Sequence, residues 1–270
     1  MVTINSNYAA SFAANAAKQT QSELNSAVEK LSTGKRINFS RDDAAGNAIA
    51  MRLEAEIASL KTASRNASDG QSLIDTADGA LKETHAMLIR MRELAVQAQN
   101  GTLTTADKSA LGVEFDALEA EIDRISSSTT WGGKEILDGS FSTGTELKID
   151  VGAATPISHL IKDLDAAGLS IASTHTVADA STIAVLDAAI ASLSEERAGL
   201  GAISNRLDST VANLDQIKVN LSASKGRIED SDFAQETANL AKGQILQQAA
   251  TAMVAQANAS KSTVLTLVSN

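Results

Sequence analysis

Residues 53–94 read LEAEIASLKTASRNASDGQSLIDTADGALKETHAMLIRMREL, and this stretch decides the fold. Leu60, Ala67, Ile74, Leu81 and Leu88 recur at seven-residue steps, and Leu53 and Ile57 extend the row toward the N-terminus. Leu73, Ala77, Ala80, Met87, Met91 and Leu94 form a second row beside the first. Such spacing places each row on one face of an α-helix, and two adjacent rows allow contact with more than one neighbour. The pattern predicts a helix over 42–100, opened by Ser40 and Asp43 at capping-box spacing and stopped at Asn100-Gly101. At the α-helical rise it is about 80 Å long, more than the diameter of a globular domain of this mass, so the expected shape is elongated.

The same periodicity continues outward. Thr104 and Asp107 repeat the capping-box spacing ahead of Leu111, Phe115, Leu118, Ile122 and Ile125, which predicts a helix over 104–128. Ile183, Leu186, Ile190, Leu193, Leu200, Leu207, Val211, Leu214 and Leu221 predict another over 181–226. Apolar helical texture also fills 3–33 and 232–268. Between them, 129–180 holds a turn-rich region in which six of the sixteen glycines fall within forty residues. There Asp138-Gly139 and the alternation of Leu147, Ile149 and Val151 with Lys148 and Asp150 predict one small hairpin. The expected fold is mainly α: an elongated antiparallel bundle of long coiled-coil helices with a small β-hairpin region. Its expected divisions are an N-terminal segment 1–40, a rod-like part 41–230 and a C-terminal segment 231–270.

Composition narrows function. One proline, Pro156, leaves long helices uninterrupted, and one Trp, one Tyr and five Phe leave the packing to Ala, Leu, Ile and Val. A net charge of −10 with no dense basic face speaks against a nucleic-acid partner. Cysteine is absent, so neither disulfides nor thiolate metal sites are available. No stretch reaches the roughly 18 apolar residues of a membrane-spanning helix, and no basic segment followed by an apolar one marks a leader at the N-terminus.

His85, His159 and His175 lie far apart without a second ligand at helical spacing, and read as incidental or solvated. Asp42-Asp43 reads as a helix start, where the dipole favours negative charge. No phosphate-binding glycine loop or nucleophile elbow is present, so no cofactor and no enzymatic activity are expected.

The ends of the chain differ from its middle. Residues 1–40 carry a net charge of +2 and residues 231–270 a net charge of 0, which leaves −12 between them. The candidate packing residues of these ends are Ile4, Tyr8, Phe12, Leu24, Val28 and Leu31, and Leu240, Ile245, Leu246, Met253, Val254, Leu265 and Leu267. Two readings fit them: helices of a closed monomeric bundle, or faces that many copies of the chain bury together. On the second, the ends of a free subunit are largely disordered, for want of partners within the monomer.

Several segments together resemble bacterial flagellin. They are Leu31 to Asn38 (LSTGKRIN), Arg41 to Ala50 (RDDAAGNAIA), Ala63 to Ser72 (ASRNASDGQS) and Arg90 to Gln97 (RMRELAVQ) in the first half. In the second half they are Gly199 to Leu207 (GLGAISNRL), Arg227 to Glu236 (RIEDSDFAQE), Leu246 to Ala249 (LQQA) and Ala255 to Asn258 (AQAN). The blocks follow the family's order over nearly the whole chain. The resemblance implies a structural subunit that polymerises into the flagellar filament, with an inner helical layer from the chain ends and the long helices around it. It implies an extracellular place reached through the flagellar type III apparatus, with no leader cleaved. It also implies partners: like subunits, an export chaperone, and cap and hook-junction proteins. With 129–180 alone between the halves, the expected form is a minimal one with little or no variable outer domain.

Three departures stand out. Trp131-Gly132-Gly133 replaces the family's usual Phe-Asn-Gly, residues 259–263 (ASKST) lack its usual proline, and the chain ends Leu267-Val-Ser-Asn without a basic residue. A vertebrate Toll-like receptor senses many flagellins, and Arg90, Leu94 and Glu114 fall on the positions of the sensed patch, although Ile89 replaces the usual glutamine. Packing charges between subunits account equally for Arg90, Arg92 and Glu93. The alternatives are a hook–filament junction protein and a signalling coiled coil of chemoreceptor type.

Overall fold

The structure, a computed structural model, describes residues 6–139, 147–152, 156–172 and 176–269, with side chains up to residue 260. Five helices dominate it: α1 (Tyr8–Thr33), α2 (Ala44–Ala98), α3 (Thr105–Ser128), α4 (Ala180–Glu229) and α5 (Phe233–Ser269). Four short strands lie between α3 and α4: β1 (Thr130–Trp131), β2 (Lys134–Glu135), β3 (Leu147–Ile149) and β4 (Ile157–His159). The mainly α reading therefore holds. The chain divides into two compact units, one made of Met1–Ile57 with Val219–Asn270 and the other of Ala58–Lys218.

In the unit 58–218 the two rows of α2 are the centre of the core. Ala67, Ile74, Ala77, Leu81, Leu88, Met91 and Leu94 are all at most 2% exposed. Phe115 and Ile122 of α3 and Leu186, Leu193, Leu200 and Leu207 of α4 meet them, all buried. Here α2 and α4 run antiparallel, tied by Arg92 to Asp187 at 2.6 Å and by Arg197 to Asp78 at 2.7 Å. Ile136, Leu137, Ile161, Leu164 and Ile171 join the same core from the loops between α3 and α4. The seven-residue steps thus mark real core positions, because a row that repeats every two turns stays on one helix face.

The strand region departs from the expected single hairpin. Asp138-Gly139 does not turn the chain from one strand into the next; Asp138 forms an isolated bridge with Asp163 instead. Two separate antiparallel pairs form, β1 with β2 and β3 with β4. The tight turn of the first is Gly132-Gly133, both at positive φ (59° and 82°). A two-residue hairpin loop with positive φ at both positions is the primed turn that suits strand twist. Asn-Gly and Gly-Gly both accept that backbone, so the departure at Gly132 keeps the turn. In the second pair Leu147 faces His159 and Ile149 faces Ile157, with Leu147, Ile149 and Ile157 buried.

Helix starts explain two acidic positions, one of them differently from the sequence reading. The Thr104–Asp107 capping box forms as expected. At α2, however, Ser40 is not the cap. Asp43 takes that place, its Oδ1 accepting from Gly46 N at 2.8 Å, while Asp42 Oδ2 accepts from Asn38 N and Phe39 N and ties the preceding turn. Ser40 accepts instead from the Asn47 amide. The adjacent aspartate is nearer the orphan N–H groups than a serine three residues earlier. Asp43→Ala is accordingly expected to cost about 1 kcal/mol and Ser40→Ala less than about 0.5 kcal/mol, as read from denaturation midpoints.

Several carboxylates are held below their ordinary range. A hydrogen bond from the Thr104 hydroxyl lowers Asp107, one from the Phe39 backbone N–H lowers Asp42, and one from Lys35 Nζ lowers Glu229. Groups with depressed folded pKa values favour the folded state above the unfolded carboxylate pKa, and that contribution is lost as pH falls through the folded values. Asp163 is opposite in sign, since burial pushes its carboxyl up and penalises the folded state as pH rises past it. The melting temperature should therefore fall below about pH 4. At neutral pH Asp163→Asn should melt higher than the parent protein. A flat acid limb in a melting series would contradict this assignment.

The sequence reading of the histidines fails at His159. Its Nε2 lies 2.9 Å from Oε1 of Glu196, a side chain only 3% exposed, and its ring packs against Gly199. His85 is half-buried on α2, and His175 lies outside the described residues.

Candidate functional site

The unit that holds both chain ends is built on α1 and α5. Asn7 caps α1, its side chain accepting from Ala10 N at 3.1 Å, and Gly34 ends it in the left-handed conformation (φ 71°) that a residue without Cβ adopts freely. Asp232 precedes α5, and its Oδ1 accepts from Ala234 N at 2.8 Å. A short clasp joins the two corners. Ser231 N donates to Gly34 O at 2.9 Å, Arg36 N to Glu229 O at 2.6 Å, and Lys35 Nζ lies 2.7 Å from Glu229 Oε1.

From that clasp α1 and α5 run antiparallel. Lys30 meets Glu236 at 3.5 Å, Leu24 lies against Gly243, and the Asn7 amide donates to Ala257 O at 3.1 Å. The chain ends therefore do have a partner within the monomer, namely each other, which corrects the expectation that they have none. What the pair buries is also unlike what the sequence suggested. The seam consists of Ala13, Thr20 and Ala27 on α1 and of Glu236, Gly243 and Ala250 on α5. Both rows step by seven residues, so apart from Glu236, which pairs with Lys30, small side chains stay on the facing sides and the two backbones come close.

The large apolar residues lie elsewhere. Tyr8 is 74% exposed, Phe12 75%, Ile245 67% and Met253 58%, while Val28 and Leu246 are also exposed. Leu24, Leu31, Leu240 and Val254 are half-buried. Ile4 lies outside the described residues, and Leu265 and Leu267 are described for backbone alone, within α5. Phe12 and Met253, with Ala9, Ala13, Ala252 and Gln256, line an open groove of about 600 Å³. Selecting by size found the outward face and missed the seam; the signal for the seam was the seven-residue repeat of small residues.

The second set of candidates is on α2 and α3. Arg90 Nε donates to Glu114 Oε1 at 2.8 Å and Nη1 to Glu93 at 3.1 Å, and the Glu114 bond is the main cause holding the guanidinium pKa above its usual value. Leu94 is completely buried, so it offers no surface to a partner. Ile89 and Val113 are exposed close to Arg90 and Glu114 in sequence. Among the described residues no group of His, Asp and Glu could hold a metal ion, and no helix is long and apolar enough to cross a membrane.

Both halves of the chain match known families. The bacterial flagellin N-terminal helical region matches residues 4–142, and the bacterial flagellin C-terminal helical region matches residues 183–268. The chain belongs to the bacterial flagellin family. It is 43% identical over 252 residues to the flagellin of Halalkalibacterium halodurans, with 90% of each chain covered. Against the flagellin of Bacillus subtilis the identity is 41% over 301 residues, covering 98% of this chain and 99% of that one. The flagellar filament 31.3 kDa core protein of Treponema maltophilum is 35% identical over 261 residues, covering 89% and 91%. Nothing in these matches favours a hook–filament junction protein, the alternative left open by the sequence. The two matched family regions are separated by residues 143–182.

Proposed function

We propose that the α1 and α5 pair is the assembly surface of this flagellin and reaches full stability only when other copies cover it. As a member of the flagellin family the chain is a structural subunit of the bacterial flagellar filament, which serves motility, and the family is structural, not enzymatic. The observation that carries the finer reading is the outward placement of Tyr8, Phe12, Ile245 and Met253 beside a seam of small residues. Large apolar side chains in water on both helices of a weakly charged pair gain free energy when buried, at about 25 cal/mol per Å². One chain buries only its small side of each helix. Contact between unlike surfaces, repeated without closing, turns such a subunit into a fibre.

On this reading residues 1–40 and 231–270 form the inner layer of the filament and residues 41–230 the layer around it. Ile4, Leu24, Val28, Leu31, Leu240, Leu246, Val254, Leu265 and Leu267 pack with the four residues above. The subunit leaves the cell by the flagellar type III route, and meets a chaperone, the cap and the hook-junction proteins on the way. Arg90 and Glu114 form a polar surface pair that a flagellin-sensing Toll-like receptor could grip; reporter cells exposed to monomer would respond, and silence at high dose removes that partner. The assembly reading is tested by electron microscopy of the purified full chain after seeding. Long filaments are the expected result, and a chain that stays monomeric at high concentration with seeds contradicts it.

A further inference from the structure

We infer that Asn100 is a site of spontaneous deamidation, a chemical clock built into the turn between α2 and α3. The inference is independent of the assembly reading. Asn100 is the one asparagine in the chain followed by glycine. It is exposed, and it lies outside the helices, two residues past the end of α2. Its Oδ1 accepts from Thr102 N at 3.1 Å, which folds the side-chain carbonyl back over residue 101. Gly101 has no Cβ to shield its nitrogen, and the space a Cβ would take is open. A glycine there also moves freely among backbone conformations, including those that bring its nitrogen onto the neighbouring side chain.

The chemistry needs only water. The Gly101 nitrogen, losing its proton to base, attacks Cγ of Asn100; the new N–C bond forms, the Cγ–Nδ2 bond breaks, and ammonia leaves. Water then opens the five-membered imide. Attack at Cγ gives aspartate, and attack at the main-chain carbonyl gives isoaspartate, with the chain continuing through the former side chain. Nothing is oxidised or reduced.

Both products disturb the turn. A carboxylate at residue 100 sits at the negative end of the α2 dipole, where the last helical turn has no basic residue to balance it. Isoaspartate adds a methylene to the main chain between two hydrogen bonds that now hold the turn, from Asn100 N to Gln97 O (3.1 Å) and from Leu103 N to Asn100 O (3.2 Å). The other described asparagines precede residues with side chains, and most lie within helices whose hydrogen bonds fix the following N–H. Asp138-Gly139, which could form the same imide by losing water, is held in a bridge with Asp163.

The full-length chain is incubated in mildly alkaline buffer and peptide-mapped by mass spectrometry, with enzymatic methyl transfer to isoaspartate as a second readout. Conversion should concentrate in the peptide holding Asn100. Gly101→Ala should slow it by at least about tenfold, because alanine restricts the backbone and covers the nitrogen. Asn100→Gln should abolish the isoaspartate signal from that peptide. Asn100→Asp, which imitates one product, should melt below the parent protein. An unmodified Asn100 while other asparagines convert would overturn the proposal, as would equal rates with Gly101→Ala.

Discussion

Phe12→Asp and Met253→Asp should each abolish seeded filament growth while leaving the melting of residues 58–218 unchanged. Both side chains are largely exposed in the single chain and line the same groove, so an aspartate there is solvated and changes monomer stability by less than about 0.5 kcal/mol. Under other copies the same carboxylate loses its water. An effective penalty of roughly 4 kcal/mol for an unpaired buried charge corresponds to about a thousandfold rise in the subunit concentration needed for growth. Turbidity and electron microscopy across a concentration series would read it. Growth at the parental concentration would mean that this face stays in water in the filament.

The largest loss of stability should come from the centre of the 58–218 core. Leu81 and Leu88 are fully buried on α2, and Phe115 on α3 is 1% exposed. Truncation to alanine removes their transfer free energy and leaves a cavity in the close-packed cluster to which all three belong. Each Leu→Ala should cost about 2–5 kcal/mol and Phe115→Ala about 3–5 kcal/mol by chemical denaturation. Val113→Ala, a truncation at an exposed position of α3, should cost less than about 0.5 kcal/mol. Equal costs for Leu88→Ala and Val113→Ala would contradict the placement of the core.

Much of the fold was legible because repetition over many turns leaves few alternatives. The row from Leu60 to Leu88, the Thr104–Asp107 box and the row from Leu186 to Leu214 each fix a helix, its buried face and, in one case, its first residue. The strands were harder to read. Each has two or three residues, too short for alternation to be diagnostic, and pairing depends on the turn at Gly132-Gly133 and on partners far away in sequence. At Asp43 the error was one of competition, since Ser40 and Asp43 are both capping residues and the neighbouring backbone decides between them. His159 could not be assigned from sequence, because its partner Glu196 lies 37 positions away on α4.

The candidate site was half legible. Size and hydrophobicity picked out Phe12, Ile245 and Met253, which are the outward residues. The seam of Ala13, Thr20 and Ala27 against Gly243 and Ala250 is made of small residues that carry no hydrophobic signal of their own. Only their shared seven-residue step marks them. Leu94 shows the converse, since a position chosen by likeness to a surface patch is a core residue here.

Hydrogen exchange of the same protein as monomer and as filament tests the central claim most directly. If neighbours complete the α1 and α5 pair, amides of Tyr8–Thr33 and Phe233–Ser269 exchange far faster in the monomer than those between residues 73 and 94, and become protected on polymerisation. Equal protection of α1 and α5 in monomer and filament would contradict it.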